Sequence, residues 1–406
     1  MVALAPAPTL RLARWVTTAQ RSMLRQMIAV VSQPGILSFA GGLPDPALFP
    51  TAEYAAALTQ VLAEDRLALQ YRPPYAPLKA QIVALMAERG VICRPEQVFL
   101  TTGAQQALDV LTRLFLNAGE TVALESVIYT GMQQALGPFQ PRLLALPTDL
   151  ATGLDVDALE AALASGVRPA FLYVIPDGHN PLGVSLSLEK RYRLVELARR
   201  YAFPIIEDDP YGFLAYTPEG NLPPLRAFDE DCVFYVGSFS KIIAPALRLG
   251  WLIAPESLTS KLTVIKEASD LESSGLTQRA VSAYVAAGHL PEQIARLRAV
   301  YGERREVMLA ALERWFPDSA EFTTPSAGMF IWVALDPALD TTRLLEIALA
   351  AEKVAFIPGQ AFAVQPDAAR HCLRLNFTNC ATDQIDDGIA RLGRLFQRAL
   401  AYPAAV

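Results

Sequence analysis

Residues 232–241 read Cys-Val-Phe-Tyr-Val-Gly-Ser-Phe-Ser-Lys. The first five are apolar with no polar alternation, the pattern of a strand buried on both faces. Six other runs share that character, at 98–102, 121–125, 142–146, 170–175, 203–207 and 249–254. Segments of helical character lie between them, at 104–116, 131–139, 154–164 and 188–201. This alternation predicts an α/β fold, a mostly parallel seven-stranded sheet sandwiched by helices. In such sheets ligands bind at the carboxyl ends of the strands. The residues just after each run therefore matter most for function.

Beyond about residue 261 the pattern changes. Residues 291–315 place Ile294, Leu297, Tyr301, Met308, Ala311 and Leu312 at roughly helical spacing, and short strands follow at 328–333 and 373–377. The expected division is an N-terminal arm and helix at 1–48, associated with the small domain, a large domain at 49–290, and a small α/β domain at 291–406. A chain of 406 residues suits that division. At 52% apolar residues it is too hydrophobic to be disordered. The formal charge of −6, with no basic block, argues against nucleic acid or an anionic membrane as partner. No long uninterrupted apolar run predicts a membrane span. The opening residues lack a basic segment before their apolar run and read as a loose arm, not a secretion signal. Cys93, Cys232, Cys372 and Cys380 form no C-x-x-C pair, and His179, His289 and His371 are scattered. Neither a disulfide framework nor a metal site is expected, and the setting is expected to be cytoplasmic. If the chain is an enzyme, its chemistry is expected to come from Lys, Tyr, Asp and Arg with an organic cofactor.

Lys241 ends the opening stretch. Burying an ammonium costs roughly several kcal/mol unless it is neutralised or paired. A Schiff base with an aldehyde cofactor is one escape, although a strand-end lysine taken alone is more often a solvated loop residue. Glu207-Asp208-Asp209-Pro210-Tyr211 ends another run. An Asp there can hold a pyridinium nitrogen protonated. Opposite charges about 4 Å apart attract by roughly 4 kcal/mol at an effective dielectric of 20, enough to move a pKa by about three units. An acidic turn before Pro210 is the plainer alternative. Thr101-Thr102-Gly103-Ala104-Gln105 joins strand to helix and offers amides to an anion. Tyr129 and Asn180-Pro181-Leu182-Gly183 also follow strands, where a ring can cover a flat cofactor and an amide can reach a ring oxygen.

Order and context together are more specific than any one piece. From about residue 36 to 395 the chain resembles the pyridoxal 5'-phosphate-dependent aminotransferases of fold type I, class I/II. Within them it is similar to the 2-aminoadipate/kynurenine subgroup through Gly35-Ile36-Leu37-Ser38-Phe39-Ala40-Gly41-Gly42-Leu43-Pro44, Glu207–Tyr211 and the Ser-Phe-Ser-Lys ending at Lys241. The resemblance implies that Lys241 attaches to the cofactor aldehyde and later moves the substrate proton. Asp208 would pair with the pyridine nitrogen, Asn180 and Tyr211 would bond the phenolic oxygen, and Tyr129 would stack on the ring. Gly103, Ala104, Gln105, Ser238, Ser240 and Arg248 would hold the phosphate. Tyr71 would reach the phosphate of a neighbouring subunit, implying a homodimer with shared active sites. Arg374 would clamp the substrate α-carboxylate through its planar fork, with Gly42 and Asn180 beside it. Arg25 matches the position of a mobile helix that can supply an arginine to a side-chain carboxylate.

The implied reaction is ping-pong transfer of an amino group from an L-amino acid to a 2-oxo acid, with 2-oxoglutarate the expected acceptor. Broad or acidic side-chain specificity, as for 2-aminoadipate or glutamate, is expected. Two alternatives stay open at this level: a lyase acting on sulfur amino acids with the same cofactor, and an aminotransferase-like regulatory protein. The chain departs from the usual pattern at Leu182, at Ala246, at 177–179 and in the shortened stretch 71–78.

Overall fold

The computed structural model describes residues 10–18 and 35–402, Thr18 and Glu219 by their backbone alone. All seven expected runs are strands of one sheet: β1 (Val98–Thr101), β2 (Thr121–Glu125), β3 (Arg142–Leu146), β4 (Leu172–Val174), β5 (Ile205–Asp208), β6 (Val233–Ser238) and β7 (Gly250–Ile253). Their order is β1-β7-β6-β5-β4-β2-β3. Only β7 runs antiparallel to its neighbours, β1 and β6; every other pair is parallel. Every residue of β4 to β7 is buried, which is why their sequences show no alternation.

Two of the helices that cover the sheet begin at side-chain caps. Ser187 accepts from the Lys190 amide at the head of Leu188–Tyr201, which stops at Ala202 in the left-handed region. Asp155 accepts from the Ala158 amide, so the helix expected from 154 starts at Val156. The helix expected at 131–139 divides into Thr130–Leu136 and a short turn, Gly137–Phe139. Pro138 brings no amide hydrogen to continue it.

A second, antiparallel sheet comprises β8 (Glu321–Phe322), β9 (Phe330–Ala334), β10 (Ile357–Pro358) and β11 (Cys372–Asn376), in the order β8-β9-β11-β10. Helices His289–Trp315 and Thr382–Ala401 pack against one another beside it. The first begins two residues before the expected 291. Leu37–Ser38 pairs in parallel with Val354–Ala355, so this segment joins the same end of the molecule. One apolar core runs from the large sheet into the small one. Among the described residues no helix is long and apolar enough to cross a membrane.

Candidate active site

The carboxyl ends of β4, β5 and β6 and the turn after β1 converge on a cavity of about 220 Å³. Lys241 stands three residues beyond β6, on its wall. Its Nζ donates to the Gly42 carbonyl at 2.8 Å. Burial, then the positive charges of Arg374 and Arg248, bring its amine down to about 8.

Asp208 is the last residue of β5 and is buried. Its Oδ2 accepts from the Tyr173 hydroxyl at 2.8 Å, while Oδ1 is buried with no partner. Burial pushes this carboxyl up to about 7; Asp209 adds to the rise, and Tyr173 and His179 oppose it. A buried acceptor left bare beside a cavity is uncommon in a folded protein.

The turn after β1 is built for close approach. Gly103 has φ +82°, and a Cβ there would lie 2.8 Å from Nη2 of Arg248. No side chain caps the helix Ala104–Phe115 that follows, so its first amides stay open to an anion. Arg248, itself in the left-handed region, donates to the Thr102 carbonyl at 3.2 Å. The Ser240 amide donates to Ser238 Oγ at 3.1 Å. Ala104, Gln105, Ser238, Ser240 and Arg248 all line the cavity, and Gly103 sits just behind Arg248.

On another wall, Asn180 Nδ2 donates to the Tyr211 hydroxyl at 3.5 Å, and Asn180 Oδ1 accepts from Arg374 Nη1 at 2.7 Å. Burial raises the Tyr211 hydroxyl well above its usual range. Arg374, on β11, is fully buried. Its Nη2 donates to the Ala40 carbonyl at 2.6 Å, and its Nε has no partner. The rings of Phe330 and Phe362 lie 4.2 and 4.8 Å from its guanidinium carbon. Among the described residues no carboxylate pairs with it, and burial draws it down to about 10. Tyr129 and Gly42 complete the lining.

Twelve of the expected residues thus share one cavity. Tyr71 does not: its side chain is 83% exposed. Arg25 lies outside the described residues. Sequence reading missed Tyr173, whose hydroxyl in an otherwise apolar strand was the available signal. It also missed Phe330 and Phe362, which nothing separates from ordinary core aromatics, and the lining residues Leu43, Ile175, Pro210 and Pro245.

Residues 40–392 match the family model described as aminotransferase class I and II. The chain belongs to this family. It is 39% identical over 389 residues to the 2-aminoadipate transaminase of Thermus thermophilus, covering 94% of this chain and 95% of that one. It is 36% identical to aromatic-amino-acid aminotransferase 1 of Thermococcus litoralis, over 93% and 92% of the two chains. The crystal structure of α-aminoadipate aminotransferase from Thermus thermophilus, complexed with N-(5'-phosphopyridoxyl)-L-leucine, superposes with a TM-score of 0.88 at 37% identity, covering 96% and 98%. The aminotransferase is a pyridoxal phosphate-dependent transaminase of fold type I. Its cavity fits that cofactor: a bare buried carboxylate oxygen, a lysine whose amine burial brings down to about 8 and an uncapped helix N-terminus surround one space.

Proposed function

We propose that this aminotransferase moves the amino group of an L-amino acid to a 2-oxo acid, 2-oxoglutarate being the acceptor, by ping-pong kinetics, with specificity that is broad or favours acidic side chains such as 2-aminoadipate and glutamate. The observation that carries the reading is Arg374, a fully buried guanidinium on the cavity wall with no carboxylate partner among the described residues. A buried cation of that kind calls for an anionic ligand. The α-carboxylate of an amino acid supplies one in bidentate geometry.

Pyridoxal phosphate, when bound, supplies an electron-withdrawing ring that makes the amino acid's Cα–H acidic. The chain's residues do the rest. Asp208 Oδ1 would accept the ring N–H and keep that nitrogen protonated. Tyr129 would cover the ring face, and Asn180 and Tyr211 would hold its phenolic oxygen. Gly103, Ala104, Gln105, Ser238, Ser240 and Arg248 would hold the phosphate. Lys241, on the wall of the same cavity, would move the proton from Cα. In this reading Tyr71 completes the site of a second copy, the molecule works as a cytoplasmic homodimer, and the division at 49–290 and 291–406 separates cofactor and substrate halves.

Among the described residues the cations on the cavity wall are Lys241, Arg248 and Arg374, all with roles above. An acidic side chain needs a further one, and Arg25 is the candidate. The relatives named for 2-aminoadipate and for aromatic amino acids, and the leucine adduct of one of them, support a site that takes both acidic and apolar donors.

A half-reaction screen tests this. The loaded enzyme is mixed with single amino acids, and cofactor colour and 2-oxo acid are followed. Loss of colour with one 2-oxo acid per site is expected. Released ammonia with the colour retained would mean a lyase. Arg25→Ala is expected to lower kcat/KM for glutamate or 2-aminoadipate by about 10–100-fold, with leucine nearly unchanged. Equal losses on both would show that Arg25 supports the arm instead of reading the substrate.

A further inference from the structure

Arg89 follows the helix Ala76–Ala87 and does not itself line the cavity. Its side chain is 5% exposed and lies between two fully buried carboxylates. Nη2 donates to Asp177 Oδ2 at 2.9 Å, and Nη1 is bonded to Asp209 Oδ2. The Phe213 ring lies 5.3 Å from its guanidinium carbon. Gly212 leaves the space it fills, since a Cβ there would fall within 1.8 Å of Nη1.

Each carboxylate belongs to a segment that ends in the cavity. Asp177 lies three residues before Asn180, and Asp209 directly follows Asp208 and precedes Tyr211 by two. Each carboxylate also has a second hold. Asp177 accepts from Arg191 Nη2 at 2.5 Å, and Asp209 accepts from the Tyr235 hydroxyl at 3.0 Å and the Gly212 amide at 2.7 Å. Each segment is therefore anchored on its own; Arg89 bonds to both, in addition to the weaker link between Asn180 and Tyr211.

We propose that Arg89 is a positioning residue whose guanidinium sets the distance between the Asn180 loop and the Asp208–Tyr211 turn. The proposal rests on the reading of Asn180 and Asp208 given above. Through the Asp177 side it governs Asn180, and with it Arg374, which donates to Asn180. Through the Asp209 side it governs Asp208. A planar fork can hold two carboxylates at a fixed separation; an ammonium on a flexible stem holds one.

The two sides predict different losses. Asp209→Asn sets an amide NH₂ against Arg89 and loosens the Asp208 side. It should weaken pyridoxal phosphate binding to the apoenzyme, read by fluorescence titration, by about tenfold, with little change in KM. Asp177→Asn should raise the KM for the amino donor by about tenfold, with little change in cofactor affinity. Arg89→Lys should do both. If Arg89→Lys does not fold, the two Asn variants decide. Variants that lose thermal stability but leave both readouts at wild-type values would overturn the proposal. So would Asn variants that lose both properties in parallel. Asn180→Ala and Asp208→Asn serve as references. If they too leave KM and cofactor affinity unchanged, the site reading falls together with the clamp; if they move these values and the Arg89 set does not, the clamp alone falls.

Discussion

Asp208 meets the cavity with one oxygen tied to Tyr173 and the other bare, and Lys241 meets it with an amine lowered to about 8. Asp208→Asn keeps the shape and removes the charge that would hold a ring nitrogen protonated. Turnover is expected to fall at least ~10²-fold, which corresponds to roughly 2.7 kcal/mol of barrier, while the cofactor still binds, with lower affinity. A rate near wild type would make Asp208 a turn residue. Lys241 attacks an aldehyde only when neutral, so cofactor capture by the apoenzyme should speed up through about pH 8 and level off. Stopped-flow mixing across pH measures it; a rise centred near the ordinary lysine value of about 10.4 would refute the perturbed amine. The sign for stability follows. Between about 8 and the unfolded value the unfolded chain holds the extra proton, so this group makes the apoenzyme more stable as pH rises. These two residues were legible because charged groups at the ends of apolar strands break a pattern. Tyr173, Phe330 and Phe362 were not, because they continue one.

The large sheet's strands were legible for the same reason that Gly237 is required. Packed on both faces, they leave no room for polar alternation or for extra atoms. Gly237 on β6 sits opposite Trp251 on β7, and a Cβ at 237 would fall 2.2 Å from that buried indole. Tyr235 and Phe239 pack around the same ring. Gly237→Ala should therefore destabilise the protein by about 1–3 kcal/mol through overpacking, as measured by urea unfolding. Unchanged stability would show that the indole has somewhere to go. The strands β8 and β10 and the pair Leu37–Ser38 with Val354–Ala355 were not foreseen. Each is two residues long, and its pairing depends on a partner that no local pattern announces. The start of the helix at Val156 and the break after Leu136 came from a cap and a proline, signals of one residue against a window of ten.

At the scale of the whole molecule, Tyr71 is 83% exposed, and Leu67 and Leu69 nearby are 55% and 79% exposed. Exposed apolar side chains clustered in one stretch suit an interface. Mixing inactive Tyr71→Ala and Lys241→Ala subunits is expected to restore activity, because one site of each hybrid then carries both intact residues. A fully active monomer in sedimentation would end the shared-site reading. The lining of the cavity also ties together distant parts of the chain. Ala40 and Leu43 take hydrogen bonds from Arg374 and Thr378, and the Asn376 amide donates to Phe39. A ribosome adds about 5–20 residues per second, so Phe39 waits roughly 15–70 s for Asn376 to be made. All seven strands of the large sheet are synthesised within that interval. A nascent chain thus carries Lys241 and the Gly103 turn well before Arg374 exists, and a chain cut short ahead of Arg374 would lack the buried cation on which the proposed hold on a substrate depends.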